Sequence, residues 1–175
     1  MSGHSKWAQI KRQKAVVDAK RGQAFTKLAR ALTIAARHGA DPTMNATLQQ
    51  AIDRARVANM PKDNIDRAIQ RAADINVAQL EQLLLEAYGP GGVGILINVA
   101  TDNHNRTIAE LRHLLNQYAA SLGTTGSVLW QFEQHGSAWR PKQVLTLDNA
   151  AQKQLADLIT ALEQNDDVID ITTNA

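Results

Sequence analysis

Residues 93–100 read VGILINVA, an apolar run rich in β-branched side chains and typical of a buried strand. A glycine-rich turn, GPGG at 89–92, precedes the run, and a polar segment, TDNHNRT at 101–107, follows it. Helical spacing of apolar residues dominates the chain before this region. The run therefore marks the change from a helical part of the chain to a part that contains strands.

The chain beyond residue 76 alternates between predicted strands and helices. Apolar spacing predicts helices over 104–118 and 149–164, the second capped by Asp148. Strands are predicted near 80–88, 93–100, 128–133 and 168–172, with a returning strand at either 138–140 or 144–147. This order predicts an α+β domain, a ferredoxin-like α/β sandwich with an antiparallel or mixed sheet and helices on one face.

The first 75 residues follow the period of amphipathic helices. We expect one helix over 16–37 and a second that begins after a cap at Thr43 or Asn45. A third helix opens at Lys62, after Met60-Pro61 has ended the second. The sequence thus predicts a three-helix-type domain over 1–76, followed by the α+β domain over 77–175.

The net charge of +2 on 175 residues conceals a strong asymmetry. Residues 1–75 hold 14 basic and 6 acidic side chains, whereas residues 76–175 hold 5 basic and 11 acidic ones. The first 40 residues hold 9 basic side chains against a single acid, Asp18. Because the basicity is concentrated at one end, we expect that end to bind a polyanion.

The basic N-terminal segment is the main candidate site. Its cations would attract phosphates, and the ring of Trp7 could stack on an unpaired base, contributing about 1–3 kcal/mol. The alternative is a solvated helix face with Trp7 packed into the helical core. The predicted nucleic-acid-binding residues are His4, Ser5, Lys6, Trp7, Lys11, Arg12, Lys14, Lys20, Arg21, Lys27 and Arg30.

A second candidate site combines the glycine-rich turn with the polar segment. The turn is neither a Walker loop nor a dinucleotide fingerprint, so a turn into a buried strand is the favoured interpretation. Helix capping by Asp102 or Asn103 explains only part of the polar segment. Capping with ordinary solvation and binding of phosphate or a partner both remain open. The residues concerned are Gly89, Pro90, Gly91, Gly92, Asn103, Asn105 and Arg106.

Composition excludes several classes of protein. No cysteine is present, which removes disulfides, thiolate metal sites and cysteine nucleophiles. The five histidines show no metal-ligand spacing, and no nucleophile elbow occurs. No secretory signal or membrane-spanning run is found. We expect a cytoplasmic protein that is not an enzyme and has no metal, cofactor or small-molecule substrate.

Several blocks of the sequence resemble those of the YebC family. They occur in the family's order and cover most of residues 3–134: GHSKWAQIKRQKA at 3–15, DAKRG at 18–22, FTKL at 25–28, NMPKDNIDRAI at 59–69, YGPGGV at 88–93, TDNHNRT at 101–107 and LGTTGSV at 122–128. The segment at 145–174 is similar to the family's C-terminal end. The chain departs from the family in length, since it lacks the small α/β domain that longer members carry after 128–134.

The resemblance implies a nucleic-acid-associated regulator of gene expression that is not an enzyme. Family members are described as DNA-binding transcriptional regulators and as translation factors, including mitochondrial activators and bacterial factors that help ribosomes through proline-rich stretches. We favour a ribosome-associated RNA-binding translation factor, with a ribosomal protein as a further partner. A DNA-binding transcriptional regulator is the alternative, and it is less favoured because no recognition helix is evident. A protein-interaction module built on the acidic domain is a third hypothesis.

Overall fold

The computed structural model describes residues 3–73, 80–136 and 138–175, and it describes the side chains of the first helix from Val17 onward. The helices in this part of the chain are α1 Gly3–Ala36, α2 Ala46–Val57, α3 Lys62–Gln70, α4 His104–Gln117 and α5 Asn149–Glu163. The strands are β1 Glu81–Tyr88, β2 Gly94–Thr101, β3 Ser121–Leu122, β4 Phe132–His135, β5 Ala138–Pro141 and β6 Val168–Thr173. Short 3-10 turns span Arg71–Ala73, Pro90–Gly92 and Leu129–Gln131.

Residues 3–73, which we call the helical half, pack α1, α2 and α3 around their own apolar core. Leu32 of α1 and Leu48 of α2 are fully buried in it, next to Ile65 of α3. Burial of such side chains contributes about 1.5–3 kcal/mol each. Asn45 caps α2 by accepting a hydrogen bond from the Leu48 backbone N–H at 3.0 Å. The three predicted helices are all present, and Asn45 is the cap that forms.

The first helix is longer than the sequence predicts. Its apolar stripe predicts a start near residue 16, whereas α1 begins at Gly3. The added segment contains no proline and is rich in Ala, Lys, Gln and Arg, which favour helix by intrinsic propensity. A helix can therefore extend where no apolar stripe predicts one.

Residues 80–175, which we call the α+β half, are built on a four-stranded antiparallel sheet of order β3-β1-β2-β6. Ile95, Ile97 and Val99 of β2 face α4 and α5, which pack on one side of the sheet. The fold class is confirmed, because N-terminal helices precede an antiparallel sheet that carries helices on one face. The β1–β2 hairpin comes first in this half, and both helices follow it.

The second face of the sheet is covered in part by residues 128–141. The sequence predicts a strand over 128–133, but residues 129–131 form a 3-10 turn and the strand begins at Phe132. β4 pairs with β5 in a separate two-stranded sheet. Of the two predicted returning strands, 138–140 is correct and 144–147 is not a strand. Phe132 packs with Leu96 of β2 and thereby attaches this hairpin to the main sheet.

The predicted domain boundary at residue 76 falls within 74–79, outside the described residues, and it stays a prediction. The apolar cores of the two halves are nevertheless separate clusters. Polar contacts join the halves, among them an ion pair between Arg54 and Asp170 at 3.4 Å.

Candidate nucleic-acid interface

Two of the predicted basic residues present their side chains to solvent on α1. Lys20 and Arg21 are exposed, as are the neighbouring Val17 and Gly22. Neither Lys20 nor Arg21 has a hydrogen bond or ion pair to another residue in the described part of the chain. Their charges are therefore available to a polyanion.

The remaining N-terminal residues of this candidate site belong to α1, but their side chains lie outside the described part of the structure. They are His4, Ser5, Lys6, Trp7, Lys11, Arg12 and Lys14. Their role in binding nucleic acid stays a prediction.

Two further predicted residues, Lys27 and Arg30, face the α+β half. The Lys27 ammonium donates a hydrogen bond to the Glu163 carbonyl at the end of α5. Burial lowers the pKa of Lys27, although the nearby carboxylates of Asp166 and Glu163 oppose this effect. Arg30 Nη1 donates to Asp167 Oδ1 at 2.6 Å and to the Asp166 carbonyl at 2.9 Å. Both side chains thus join the two halves, and their contact with phosphate stays a prediction.

Asp167 is the centre of a buried polar cluster. Besides Arg30, its carboxylate accepts hydrogen bonds from Arg106 Nη2 at 3.0 Å and from the Thr107 hydroxyl at 2.7 Å. Burial alone would raise the pKa of Asp167, but the hydrogen bonds from Thr107, Arg106 and Arg30 outweigh it and hold the pKa below its ordinary value. The carboxylate is therefore charged and fully partnered at neutral pH.

The polar segment before α4 has a clear structural role in this cluster. Asn103 is the N-cap of α4 and accepts a hydrogen bond from the Arg106 backbone N–H at 3.1 Å. Arg106 also contacts Asp102 at 2.9 Å and Glu110 at 3.9 Å, so its guanidinium is shared among three carboxylates. Asn105 is exposed. The structure brings Arg106 together with Arg30 of the first candidate site, since both contact Asp167.

The glycine-rich turn lies at the other end of β2 from this cluster. The length of β2 separates the two by about 23 Å, so the structure does not join them into one site. Pro90 is buried, and Gly91 has a φ of +71°. A Cβ at Gly91 would lie 2.7 Å from Leu147 Cδ2, because the turn packs on the segment before α5. This close packing agrees with the favoured interpretation of a structural turn, while Gly91 and Gly92 remain exposed.

A cleft of about 480 Å³ opens between α1, α3 and the α+β half. Arg30, Arg67 and Arg71 line it, with Phe25 and Met60 among its apolar residues. Arg67 and Arg71 are exposed and lie four residues apart. Sequence analysis did not select these two arginines, because the charge of residues 41–75 is balanced overall. The cleft adds positive charge beside α1.

Glu86 is a further residue that sequence analysis did not select. Its buried carboxylate accepts hydrogen bonds from the backbone N–H groups of Gly126, Val128 and Leu129 at 2.5, 2.6 and 2.8 Å. Burial would raise the pKa of Glu86, but these three hydrogen bonds lower it below its ordinary value. The available signal was an acid that follows three leucines in the strand, and the structure places it on the face of the sheet that residues 128–141 cover.

Two other classes of site are not found in the described part of the chain. No three histidine, aspartate or glutamate side chains there converge in a way that could hold a metal ion. The helices described in 3–73, 80–136 and 138–175 do not combine the length and the hydropathy needed to cross a bilayer.

Two family models match consecutive parts of the chain. Residues 5–75 match the TACO1/YebC protein N-terminal domain, and residues 80–139 match the TACO1/YebC second and third domain. Together these matches cover well over half of the chain.

Curated relatives share about half of the aligned residues. A probable transcriptional regulatory protein from Chlorobaculum tepidum is 48% identical over 169 residues, which are 95% of this chain and 67% of the relative. One from Desulforamulus reducens is 54% identical over 138 residues, covering 78% of this chain and 57% of the relative. One from Petrotoga mobilis is 46% identical and covers 99% of this chain and 70% of the relative. This chain thus spans about two thirds of the length of these relatives.

A solved structure shares the fold. The crystal structure of a conserved hypothetical protein from Aquifex aeolicus superposes with a TM-score of 0.78 at 29% sequence identity. The superposition covers 90% of this chain and 91% of the other.

Proposed function

Because this chain belongs to the TACO1/YebC family, we propose that it is a nucleic-acid-binding regulator of gene expression that docks on RNA, with ribosomal RNA as the favoured target. The docking surface is the exposed, basic side of α1. The α+β half, which is acidic overall, supports α1 and is not the main polyanion-binding surface.

The observation that carries this proposal is that the basic side chains of α1 divide into two groups, one in contact with the α+β half and one exposed to solvent. Lys27 and Arg30 are bonded to the α+β half, whereas Lys20 and Arg21 point to solvent without a counter-charge in the described part of the chain. Exposed cations of this kind release counterions from a phosphate backbone on binding. The predicted cations from Lys6 to Lys14 continue the same helix toward its N-terminus.

A DNA-binding transcriptional regulator is the second candidate, and the names of the relatives favour it, since they are called probable transcriptional regulatory proteins. A long helix such as α1 also has the dimensions of a major-groove element. Reading base edges, however, requires planar side chains that are free to pair with them. Gln23 and Arg30 have such ends, but they are hydrogen-bonded to residues 164–167 instead, which leaves Arg21 as the exposed planar end in this part of α1. One free guanidinium supports a contact driven mainly by charge and shape, as in the recognition of double-stranded RNA.

The proposal is tested by sedimentation of the protein with ribosomes at increasing salt concentration. We expect co-sedimentation at low salt that weakens steeply as salt rises, and that is lost in the Lys20→Glu/Arg21→Glu variant. The matched control is Arg112→Glu/Lys153→Glu, which makes the same change in net charge at exposed positions of α4 and α5. Equal sedimentation of both variants and the wild type would contradict the proposal. Tight binding to one DNA operator, about a thousandfold tighter than to random duplex, would support the DNA alternative.

A further inference from the structure

Two aromatic side chains of the α+β half share one hydrogen-bond acceptor. The Tyr88 hydroxyl donates to the Ser127 carbonyl oxygen at 2.8 Å, and Trp130 Nε1 donates to the same oxygen at 2.9 Å. The exposed fractions of Tyr88 and Trp130 are 38% and 66%. Because the polar end of each ring is already hydrogen-bonded within the protein, the exposed remainder is largely aromatic surface.

Hydrogen bonds from the loop at 126–129 to Glu86 of the central sheet fix the position of the two rings. Glu86 lies two residues before Tyr88, on the same face of β1, and its carboxylate holds the backbone of 126–129 through three hydrogen bonds. Ser127 lies inside that stretch. The two rings are therefore attached to a loop that is itself tied to the central sheet, so little conformational entropy remains to be lost on binding.

Basic side chains occur near Trp130 although this half of the protein is acidic. The Lys142 ammonium donates to the backbone carbonyl of Trp130 at 2.9 Å, which places it beside the Trp130 main chain. Arg140 on β5 is exposed. The carboxylate of Glu133, the acid across the hairpin from Arg140, is bonded to His135 at 2.8 Å. Of the five basic residues of 76–175, Lys142 thus contacts Trp130, and Arg140 lies two residues before Lys142 in the chain.

We propose that Tyr88 and Trp130 form a stacking platform for unpaired bases of single-stranded RNA, with Lys142 and Arg140 contacting the neighbouring phosphates. The inference rests on the proposed function for the choice of RNA as the partner. Aromatic faces accept any base, and aromatic pairs flanked by cations are how proteins bind single strands without a strict sequence preference. The cations favour a nucleic acid over an apolar protein surface. The platform is a second contact, separate from α1.

The test measures binding of a fluorescently labelled oligouridylate by anisotropy at low salt, with a duplex RNA of equal length as the comparison. We expect Trp130→Ala to weaken binding of the single strand by about 5- to 150-fold and to leave duplex binding unchanged. Trp130→Phe keeps an aromatic face and should retain most of the affinity. Since the side chain is largely exposed, the variants should keep the thermal melting profile of the wild type.

The control is Val144→Ala, which removes an equally exposed apolar side chain outside the platform. Unchanged single-strand binding in Trp130→Ala, with loss in Lys20→Glu/Arg21→Glu, would overturn the platform and leave the proposed function in place. An equal loss of single-strand and duplex binding in Trp130→Ala would also overturn it, because stacking needs unpaired bases. Absence of any RNA binding by the wild type would overturn both.

Discussion

The guanidinium of Arg30 lies 2.6 Å from the carboxylate of Asp167 and joins α1 to the turn before β6, 137 residues further along the chain. Asp167 is buried, and Arg106 and Thr107 complete its hydrogen bonding. A single carboxylate therefore fixes the positions of α1, the start of α4 and the start of β6. This contact determines which part of α1 packs on the α+β half.

Removal of the negative charge of Asp167 should destabilise the protein. We expect Asp167→Asn to lower the free energy of unfolding by about 2–3 kcal/mol in urea denaturation, because Arg30 loses its ion-pair partner and Arg106 loses one of its carboxylates. The value is at the low end for a buried pair, since the Arg30 side chain is 30% exposed. Asp166→Asn is the control, at an exposed neighbouring position, and should cost under about 1 kcal/mol. Equal losses in the two variants would contradict a special role for Asp167.

The same carboxylate predicts how stability depends on pH. Burial would raise the pKa of Asp167, but hydrogen bonds from Thr107, Arg106 and Arg30 lower it below its ordinary value of 3.8. The unfolded chain therefore binds the proton more readily than the folded chain, so this contribution is complete above about pH 5 and is lost as the pH falls through the lower folded pKa.

The measurement is the urea midpoint of the wild type and Asp167→Asn as a function of pH. The difference between them should stay constant from about pH 7 to pH 5 and shrink below about pH 4. A difference that grows with acidity would show that the folded pKa is raised instead.

Substitutions of Arg30 and Lys20 should have different effects, the first on the stability of the protein and the second on RNA binding. We expect Arg30→Gln to lower the free energy of unfolding by about 2 kcal/mol and to leave the salt dependence of RNA binding unchanged. Lys20→Gln should leave the free energy of unfolding unchanged and should weaken the salt dependence of RNA binding, since the Lys20 side chain is exposed and has no partner in the described residues. The logarithmic salt slope for single-stranded RNA should fall by about 0.7 for each phosphate contact that is lost. A shallower salt slope of RNA binding in Arg30→Gln would show that Arg30 contacts a phosphate and would contradict its assignment to a structural role.

These contacts show where sequence reasoning reached its limit. Apolar spacing located α4 and α5 to within a few residues, because each helix buries a regular stripe, and the continuous apolar run located β2. The basic residues of α1 were predicted as one set, yet Lys27 and Arg30 have partners about 136 residues away. Such partners are fixed by tertiary packing, which no local pattern encodes.

The buried carboxylate of Glu86 helps to explain why the strand predicted over 128–133 begins only at Phe132. Val128 to Glu133 alternates as a strand would, but the Glu86 carboxylate holds the N–H groups of Val128 and Leu129, which helps to keep that backbone from pairing in a sheet. We expect Glu86→Gln to lower the free energy of unfolding by about 2 kcal/mol, because one amide oxygen cannot replace two carboxylate oxygens that accept three hydrogen bonds.

Hydrogen exchange measured by NMR tests whether Glu86 holds the backbone of 126–129. The amides of Gly126, Val128 and Leu129 should exchange faster in Glu86→Gln than in the wild type, while Glu133→Gln, at an exposed position, should leave them unchanged. Unaltered protection of these three amides in Glu86→Gln would mean that the loop is held by other contacts.

The target of the basic helix is best identified by crosslinking the protein to nucleic acid in cells and sequencing what is recovered. We expect the reads to concentrate on ribosomal RNA, to be lost in Lys20→Glu/Arg21→Glu and to be retained in Arg112→Glu/Lys153→Glu. Reads concentrated at defined genomic DNA sites, or an RNA profile that both variants leave unchanged, would contradict this expectation.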